Sequence, residues 1–384
     1  MDTTATTYTT RNASLQDLAA MLQDHQARKV DVVASATAIR SQEGVLVVQG
    51  TEPTITDDGV TMSDGRYRPT AVADEGLAQR LNIPVGYLKR TRAERPDLYD
   101  ANVNGWLHGT DEIAADGRKF LVRAFRSDDG DGVARAVLSD QYRMIDNLDV
   151  LTAALDGVRQ AGTEVQINRC DLTERRMYVQ VEAPAVAVAA DALLHNYRSP
   201  FTGHSGADNP LVHAGFRIVN SEVGCGAFQI VPEVTVQVCR NGMTVTRDAM
   251  RAVHLGSRLD EGLVKWTEDT QRKLLTLVTA QARDAVATFL DAGYVQRIID
   301  QIQETASVPV QDPAATVERV SKTMGYTADQ QAGVLDHFIR GGVVTAGGIM
   351  HAVTSWAQEI DDADRAWEFQ SSALDAMQAA ATIG

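Results

Sequence analysis

The residues of this chain whose types and spacing suggest chemistry gather between positions 211 and 243, LVHAGFRIVNSEVGCGAFQIVPEVTVQVCRNGM. Asn220, Ser221 and Glu222 offer an amide, a hydroxyl and a carboxylate in a row; Gly224-Cys225-Gly226 comes at once after them, and Cys239, Arg240 and Asn241 close the stretch. A cysteine becomes a nucleophile when a neighbouring His or Arg lowers its pKa, and His204 of the adjoining loop or His213 at its end could serve. Asn, Ser and Gly are also what ordinary turns use to satisfy backbone groups. Both a polar pocket built from Asn220, Ser221, Glu222, Cys239 and Asn241 and a set of plain turns are therefore open.

A second set is cationic. Arg175 and Arg176 stand beside Tyr178, while Arg217 and Arg240 flank the central stretch; guanidinium groups near an aromatic ring suit contact with a nucleic-acid backbone and base stacking. Charge argues the other way. The formal net charge is −15, and an acidic protein repels a polyanion unless its charge is segregated. Residues 211 to 258 carry five Arg and three acids, net +2, against net −4 for residues 1 to 74 and −6 for 310 to 384. The middle of the chain is its electropositive part.

These residues must be held by elements. Phe216, Ile218, Phe228, Ile230, Val234, Val236 and Val238 alternate with polar or small residues, which predicts paired strands with one buried face and an Asn-Gly turn at Asn241-Gly242. Strand-like runs at 30 to 39 and 45 to 49, with Asp-Gly turns after them, make residues 14 to 70 a small β-rich N-terminal module behind a disordered tail over 1 to 13. Helical spacing over 71 to 109, interrupted at Pro96, opens a central α+β core spanning 71 to 258. Within it, Lys119 to Ser127 and Val133 to Ile145 flank a DDGDG turn, and VQINRCDLTERRMYVQVEAP reads as another hairpin. Apolar residues at helical spacing predict a long helix, or two in sequence, over 259 to 308, and three short helices over 309 to 384. Runs of strands precede runs of helices, so the expected class is α+β: a central antiparallel, hairpin-built sheet with packed helices and a helical C-terminal part.

Composition narrows the function classes. Three cysteines without a CxxC pair argue against a disulfide framework and match no metal signature, so neither metal nor cofactor is expected. No apolar run is long enough to span a bilayer and the first twenty residues lack the apolar centre of a signal peptide, so a cytoplasmic location is expected. Phosphate-binding, dinucleotide, zinc-protease and serine-hydrolase signatures are absent.

Several separated segments resemble the phage/plasmid-like proteins grouped as domain of unknown function 932. They are RYRPTAVADEGLAQRLNIPVGYLKR, RAVLSDQYRMIDNLDVL, FRIVNSEVGCGAFQIVPEVTVQVCRNGM and DHFIRGGVVTAGGIMHAVTSWAQEIDDADRAWEFQ, which together cover most of the chain from residue 66. The most specific parts are Asn220, Ser221 and Gly224, and Val238, Cys239 and Asn241. Where many relatives carry His-Asp-Gly after Asn-Ser, this chain has Glu222-Val223-Gly224. The resemblance implies a setting in phages, prophages and plasmids within a bacterial host cytoplasm, and no particular reaction.

Three functional readings are open. The leading one is a non-catalytic, nucleic-acid-associated protein serving replication or recombination, which binds single-stranded DNA through Arg175, Arg176, Tyr178, Arg217 and Arg240 and forms a homo-oligomer. The second is an oligomeric scaffold or regulatory protein-binding protein. The third is an enzyme whose site lies at Asn220 to Glu222 and Cys239 to Asn241.

Overall fold

The computed structural model describes residues 8–51, 54–56, 59–61, 63–110, 114–128, 130–142, 145–236, 242–244, 248–252 and 268–383. At its centre lie β12 (Leu211–Asn220) and β13 (Phe228–Val236), paired antiparallel with Phe216 opposite Pro232 and Ile218 opposite Ile230. They sit inside an antiparallel sheet ordered β1 (Thr10–Ala13), β10 (Gln166–Leu172), β11 (Met177–Ala189), β12, β13 and β14 (Gly242–Thr244), with β15 (Met250–Ala252) also paired to β13. The hairpin predicted over 165 to 184 is β10 and β11. The protein is α+β, with its C-terminal part helical.

Because successive strand residues point to opposite faces, β12 divides its side chains cleanly. Val212, Ala214, Phe216 and Ile218 join a core with Leu18 and Leu22 of α1 (Leu15–Arg28), Val150 and Leu151 of α5 (Asn147–Ala161), and Val278 and Val286 of α7 (Glu268–Phe289). His213 and Arg217 occupy the other face, and they too are buried. The single buried face read from the alternation is thus two, since α12 (Ala363–Ser371) lies over the second, its Trp367 ring 4.6 Å from the Arg217 guanidinium.

A second sheet runs β2 (Lys29–Ser35), β8 (Lys119–Phe125), β9 (Gly132–Ser139), β7 (Gly65–Pro69), β4 (Val45–Val48) and β3 (Ile39–Gln42), antiparallel except for the parallel pair of β7 with β9. A separate two-stranded ribbon joins β5 (Thr54–Thr56) to β6 (Gly59–Thr61). One face of the larger sheet is covered by α2 (Ala71–Leu81), α3 (Val85–Glu94) and α4 (Pro96–His108), which bring Leu77, Leu88, Tyr99 and Val103 against Val122 and Ala134. Proline fixes the helix boundaries: Pro84 immediately precedes α3, and Pro96 opens α4, where a missing N–H costs nothing. The other face presents Leu121 and Leu138 to Val223, a residue of the β12–β13 loop.

Two predicted boundaries fail for the same reason. Residues 14 to 70 are not a module, because β2 pairs with β8 and β7 with β9 across more than sixty positions, and α1 packs on α5 instead. Nor is 1 to 13 wholly a tail, since Thr10 to Ala13 form β1 on β10. Long-range strand pairing leaves no trace in local periodicity.

In the C-terminal part, α7 is succeeded by a separate α8 (Ala292–Ala306), divided at Asp291, whose side chain accepts from the Tyr294 backbone N–H at 2.8 Å. Five helices come next where three are expected: α9 (Pro313–Met324), α10 (Ala328–Gly341), α11 (Ala346–Trp356), α12 and α13 (Ala373–Ile383). The proline-bearing segment before α9 is a helix start, Asp312 capping α9 and Pro313 standing at its first position. A short α6 (Asp191–Leu194) precedes the 195–210 loop. No helix among the described residues is long and apolar enough to cross a membrane.

The two sheets are joined by Arg123 of β8, whose side chain is fully buried. It makes a bidentate pair with Asp31 of β2 at 2.8 and 2.9 Å, reaches Asp146 at the start of α5 at 2.7 Å, and donates to the Glu222 carbonyl oxygen at 2.7 Å. Arg123→Met should leave the largely buried Asp31 without its cation and Asp146 with Lys29 alone, and cost about 3–5 kcal/mol in urea denaturation, whereas Arg90→Met at an exposed helical pair should cost no more than about 0.5 kcal/mol.

Candidate functional site

Asn220, Ser221 and Glu222 do come together, as a buried corner where β12 ends. The Asn220 amide donates to the Asn147 side chain at 2.9 Å and to the Ile145 carbonyl at 3.2 Å. Ser221 donates to the Arg175 carbonyl at 2.7 Å and accepts from the Cys225 N–H at 2.9 Å, which shapes the loop through Gly224, held at φ +82°. Glu222 accepts from the Asn147 N–H at 2.6 Å and forms an ion pair with Arg135. Lys29 completes the set by pairing with Asp146. Three cations, Lys29, Arg123 and Arg135, thus face three carboxylates, Asp31, Asp146 and Glu222.

The electrostatics reflect that balance. Burial pushes the Asp146 carboxyl up, but Arg123 and Lys29 outweigh it and bring it down to about 2. Burial likewise raises Glu222, and Arg135 and Arg123 hold it below the ordinary glutamate range. These carboxylates are committed as counter-ions.

The thiol near this corner is not activated. Burial raises the Cys225 pKa despite Arg175, whose guanidinium lies 3.7 Å from Sγ. His213 hydrogen-bonds to the Pro184 carbonyl at 3.2 Å; seven residues along β12 from Asn220, it is roughly 23 Å away. His204 sits in the exposed 199–204 turn. Cys239, Arg240 and Asn241 lie outside the described residues. A Ser-His-Glu row does occur elsewhere, Ser355 Oγ standing 2.7 Å from His337 Nδ1 and Glu359 lying 3.2 Å from Nε2. Its serine is wholly buried in α11 and also donates to the Ala352 carbonyl, so substrate has no path to it.

The proposed nucleic-acid residues are placed inside the protein more than on it. Arg217 is 2 % exposed, paired with Glu233 at 2.8 Å beneath Trp367, and Tyr178 donates to Asp364 at 2.7 Å. Arg176 bonds the Cys225 carbonyl at 2.9 Å and pairs with Glu368 at 3.3 Å; Arg175 pairs with Glu75 at 2.5 Å. These contacts tie β11 and the corner to α12 and α2. Arg217 and Tyr178 are thus internal ties between a strand and the helix that covers it, Arg175 and Arg176 are half-buried, ion-paired residues of the β10–β11 turn, and Arg240 lies outside the described residues. On α3 the cations are engaged as well, Lys89 with Glu75, Arg90 with Glu94 and Arg92 with Asp74.

Beside the corner lies a cavity of about 250 Å³, which local sequence reading missed. Its aromatic side is Phe125, with His25 at 4.5 Å and Tyr8 stacked at 5.2 Å between ring centroids. Its cations are Arg135, 4.3 Å over the Phe125 ring, and the exposed Arg68, paired with Asp131 at 3.3 Å. Arg135 points there because it is the extra residue of a bulge: Arg123 pairs with Ala136 and Ala124 with Ala134, and a bulge redirects a side chain next to a site. Thr173 and Glu174, from the β10–β11 turn, close the rim. The single visible signal was an Arg at alternate positions of the apolar runs KFLVRAF and VARAVLS.

His25 is 6 % exposed and neither ring nitrogen has a hydrogen-bond partner among the described residues. Such an orphan is uncommon and points to a missing partner. Burial, and then Arg135, lower its pKa to about 4 against the opposing pull of Glu222, so the imidazole is neutral at pH 7. Among the described residues no group of three or more His, Cys, Asp or Glu could hold a metal ion.

An α+β chain with a charge-locked inter-sheet corner and one aromatic, arginine-bearing cavity beside it is what the geometry defines. Comparison with protein-family models, curated proteins and solved structures found no match.

A neutral buried His whose pKa is depressed on folding leaves stability intact above its unfolded value near 6.5 and removes it as pH falls toward 4. At pH 4, His25 should cost about 3 kcal/mol, and His351, lowered to about 4 by burial, acts in the same window. Thermal unfolding from pH 7 to 4 should therefore show a falling Tm, and His25→Phe should flatten part of that slope.

Proposed function

We propose that the protein is a non-catalytic binding protein whose cavity takes a planar, anionic aromatic ligand, in the form of an unpaired nucleotide of a single-stranded nucleic acid. The carrying observation is the cavity lined by Tyr8, Phe125 and the orphaned His25, with Arg68 and Arg135 at its edge. Aromatic rings stack any base without reading its sequence, guanidinium groups meet its phosphate, and a neutral imidazole can hydrogen-bond a base edge. Its volume suits one nucleotide unit better than a drug-sized molecule. This keeps the single-strand reading and moves it from Arg175, Arg176, Tyr178 and Arg217, which are engaged in internal contacts, to a new place. The resemblance to phage/plasmid-like proteins agrees with work in replication or recombination on a mobile element. The raised pKa of Cys225 and the commitment of the ionised Glu222 to its ion pair with Arg135 favour binding over catalysis.

Stacking, and not long-range attraction, carries the affinity in a protein of net charge −15. Anisotropy with a labelled single-stranded oligonucleotide should show saturable binding whose log–log salt slope is shallow, about −0.7 to −1.4 for one or two neutralised phosphates. Tyr8→Ala should weaken it by about 1–3 kcal/mol, and Arg68→Ala should make the slope shallower still. No binding at low salt, or binding indifferent to both substitutions, would refute the proposal.

An oligomeric scaffold is the second reading, and a specific surface favours it. Leu98 and Trp106, two helical turns apart on α4, are 37 % and 55 % exposed, and Tyr87 of α3, 45 % exposed, joins them through Asn102. If this face joins copies of the chain, light scattering should give a multimer that Trp106→Asp reduces to the monomer.

A further inference from the structure

The C-terminal helices carry a second concavity, an open groove of about 560 Å³. Its wall is aromatic: Tyr326 and Trp356 stand 4.5 and 5.0 Å from the Phe369 ring between centroids. Trp356 is seated where only a glycine allows it, because a Cβ on Gly333 would lie 1.8 Å from the indole nitrogen. Its rim is acidic. Asp329, Glu359 and Glu368 are exposed around that wall; Arg365 is the one Lys or Arg among the described lining residues, while from outside the lining Arg176 pairs with Glu368 and His337 lies 3.2 Å from Glu359. The surrounding segment agrees, residues 310 to 384 holding four Lys and Arg against ten Asp and Glu, net −6.

Aromatic faces inside a ring of carboxylates are complementary to cations. A Lys or Arg side chain laid on Tyr326 or Trp356 gains cation–π attraction, and the rim carboxylates accept its charged hydrogen bonds. Polyanions are repelled by the same rim. A purely apolar occupant would cover the rings but desolvate the rim carboxylates with no new partner for their charge. The groove's openness along the surface and its volume suit several residues of an extended chain.

We propose that this groove docks a basic, extended segment of a partner protein, anchored by a Lys or Arg side chain against Tyr326 and Trp356. The docking is independent of the nucleotide cavity. It makes the acidic C-terminal segment the side that meets protein.

The probe is a fluorescein-labelled decapeptide of alternating Lys and Leu, titrated with the full chain at 0.15 M salt and monitored by anisotropy. Asp329→Lys with Glu359→Lys reverses the rim at two exposed positions and leaves the Arg176–Glu368 tie in place. Asp269→Lys with Asp284→Lys makes the same change in net charge on α7, where both carboxylates are also exposed. Circular dichroism checks that both variants keep their helical content. The groove reversal should weaken binding by about tenfold or more and the α7 reversal by no more than about twofold, since a rim acts locally. An alternating Glu and Leu peptide should not bind. Equal weakening by both reversals would show attraction to net charge alone and overturn the proposal, as would equal binding of the acidic peptide or the lack of saturable binding by the basic one. Arg68→Ala should leave peptide binding unchanged, so failure here and failure of the nucleotide reading are separately visible.

Discussion

The structure hangs on the guanidinium of Arg123. It is withdrawn completely from water, and its charge is met by Asp31 from the same sheet, Asp146 from the start of α5 and a carbonyl from the β12–β13 loop. Burying a cation is expensive, and the carboxylates offset that cost only if all of them stand in place together. The group therefore acts as a registration device more than as a source of stability: the sheets meet in the one arrangement that satisfies it. Glu222 extends the device, turning its carbonyl to Arg123 and its carboxylate to Arg135 and the Asn147 N–H.

A second buried polar layer works in the same way on the other side of the β12 sheet. Arg217, Glu233, Gln180 and Gln370 share hydrogen bonds under α12, with Glu233 accepting from all three of the others. Strands covered on both faces usually read as continuous apolar runs. Here one face keeps polar groups because α12 arrives carrying partners for them. Arginines that looked like a contact surface are the groups that hold a helix to a sheet.

The candidate cavity is a consequence of the first device. Arg135 leaves the ladder at a bulge, meets Glu222 and lies over Phe125, while His25 arrives from α1 with no partner for its nitrogens among the described residues. Rigid elements supply each of these side chains, which favours a preorganised site over a flexible one. Its chemistry is that of holding a flat, charged ligand.

Local features were legible in the sequence. Alternation at Phe216, Ile218, Phe228 and Ile230 specified the central pair of strands; Pro84 and Pro96 set helix boundaries; Gly342, in a left-handed conformation, stopped α10 after the predicted run. Asn220, Ser221 and Glu222 were also recognisable as a set, because polar residues at the end of an apolar strand need partners. The identity of those partners came from the tertiary structure alone. Pairing β2 with β8, running β7 parallel to β9, and laying α12 over Arg217 all join positions far apart in the chain. Periodicity reports which face of an element is apolar, not what covers the opposite face. The fate of every arginine, whether surface contact, buried tie or cavity wall, depended on that covering.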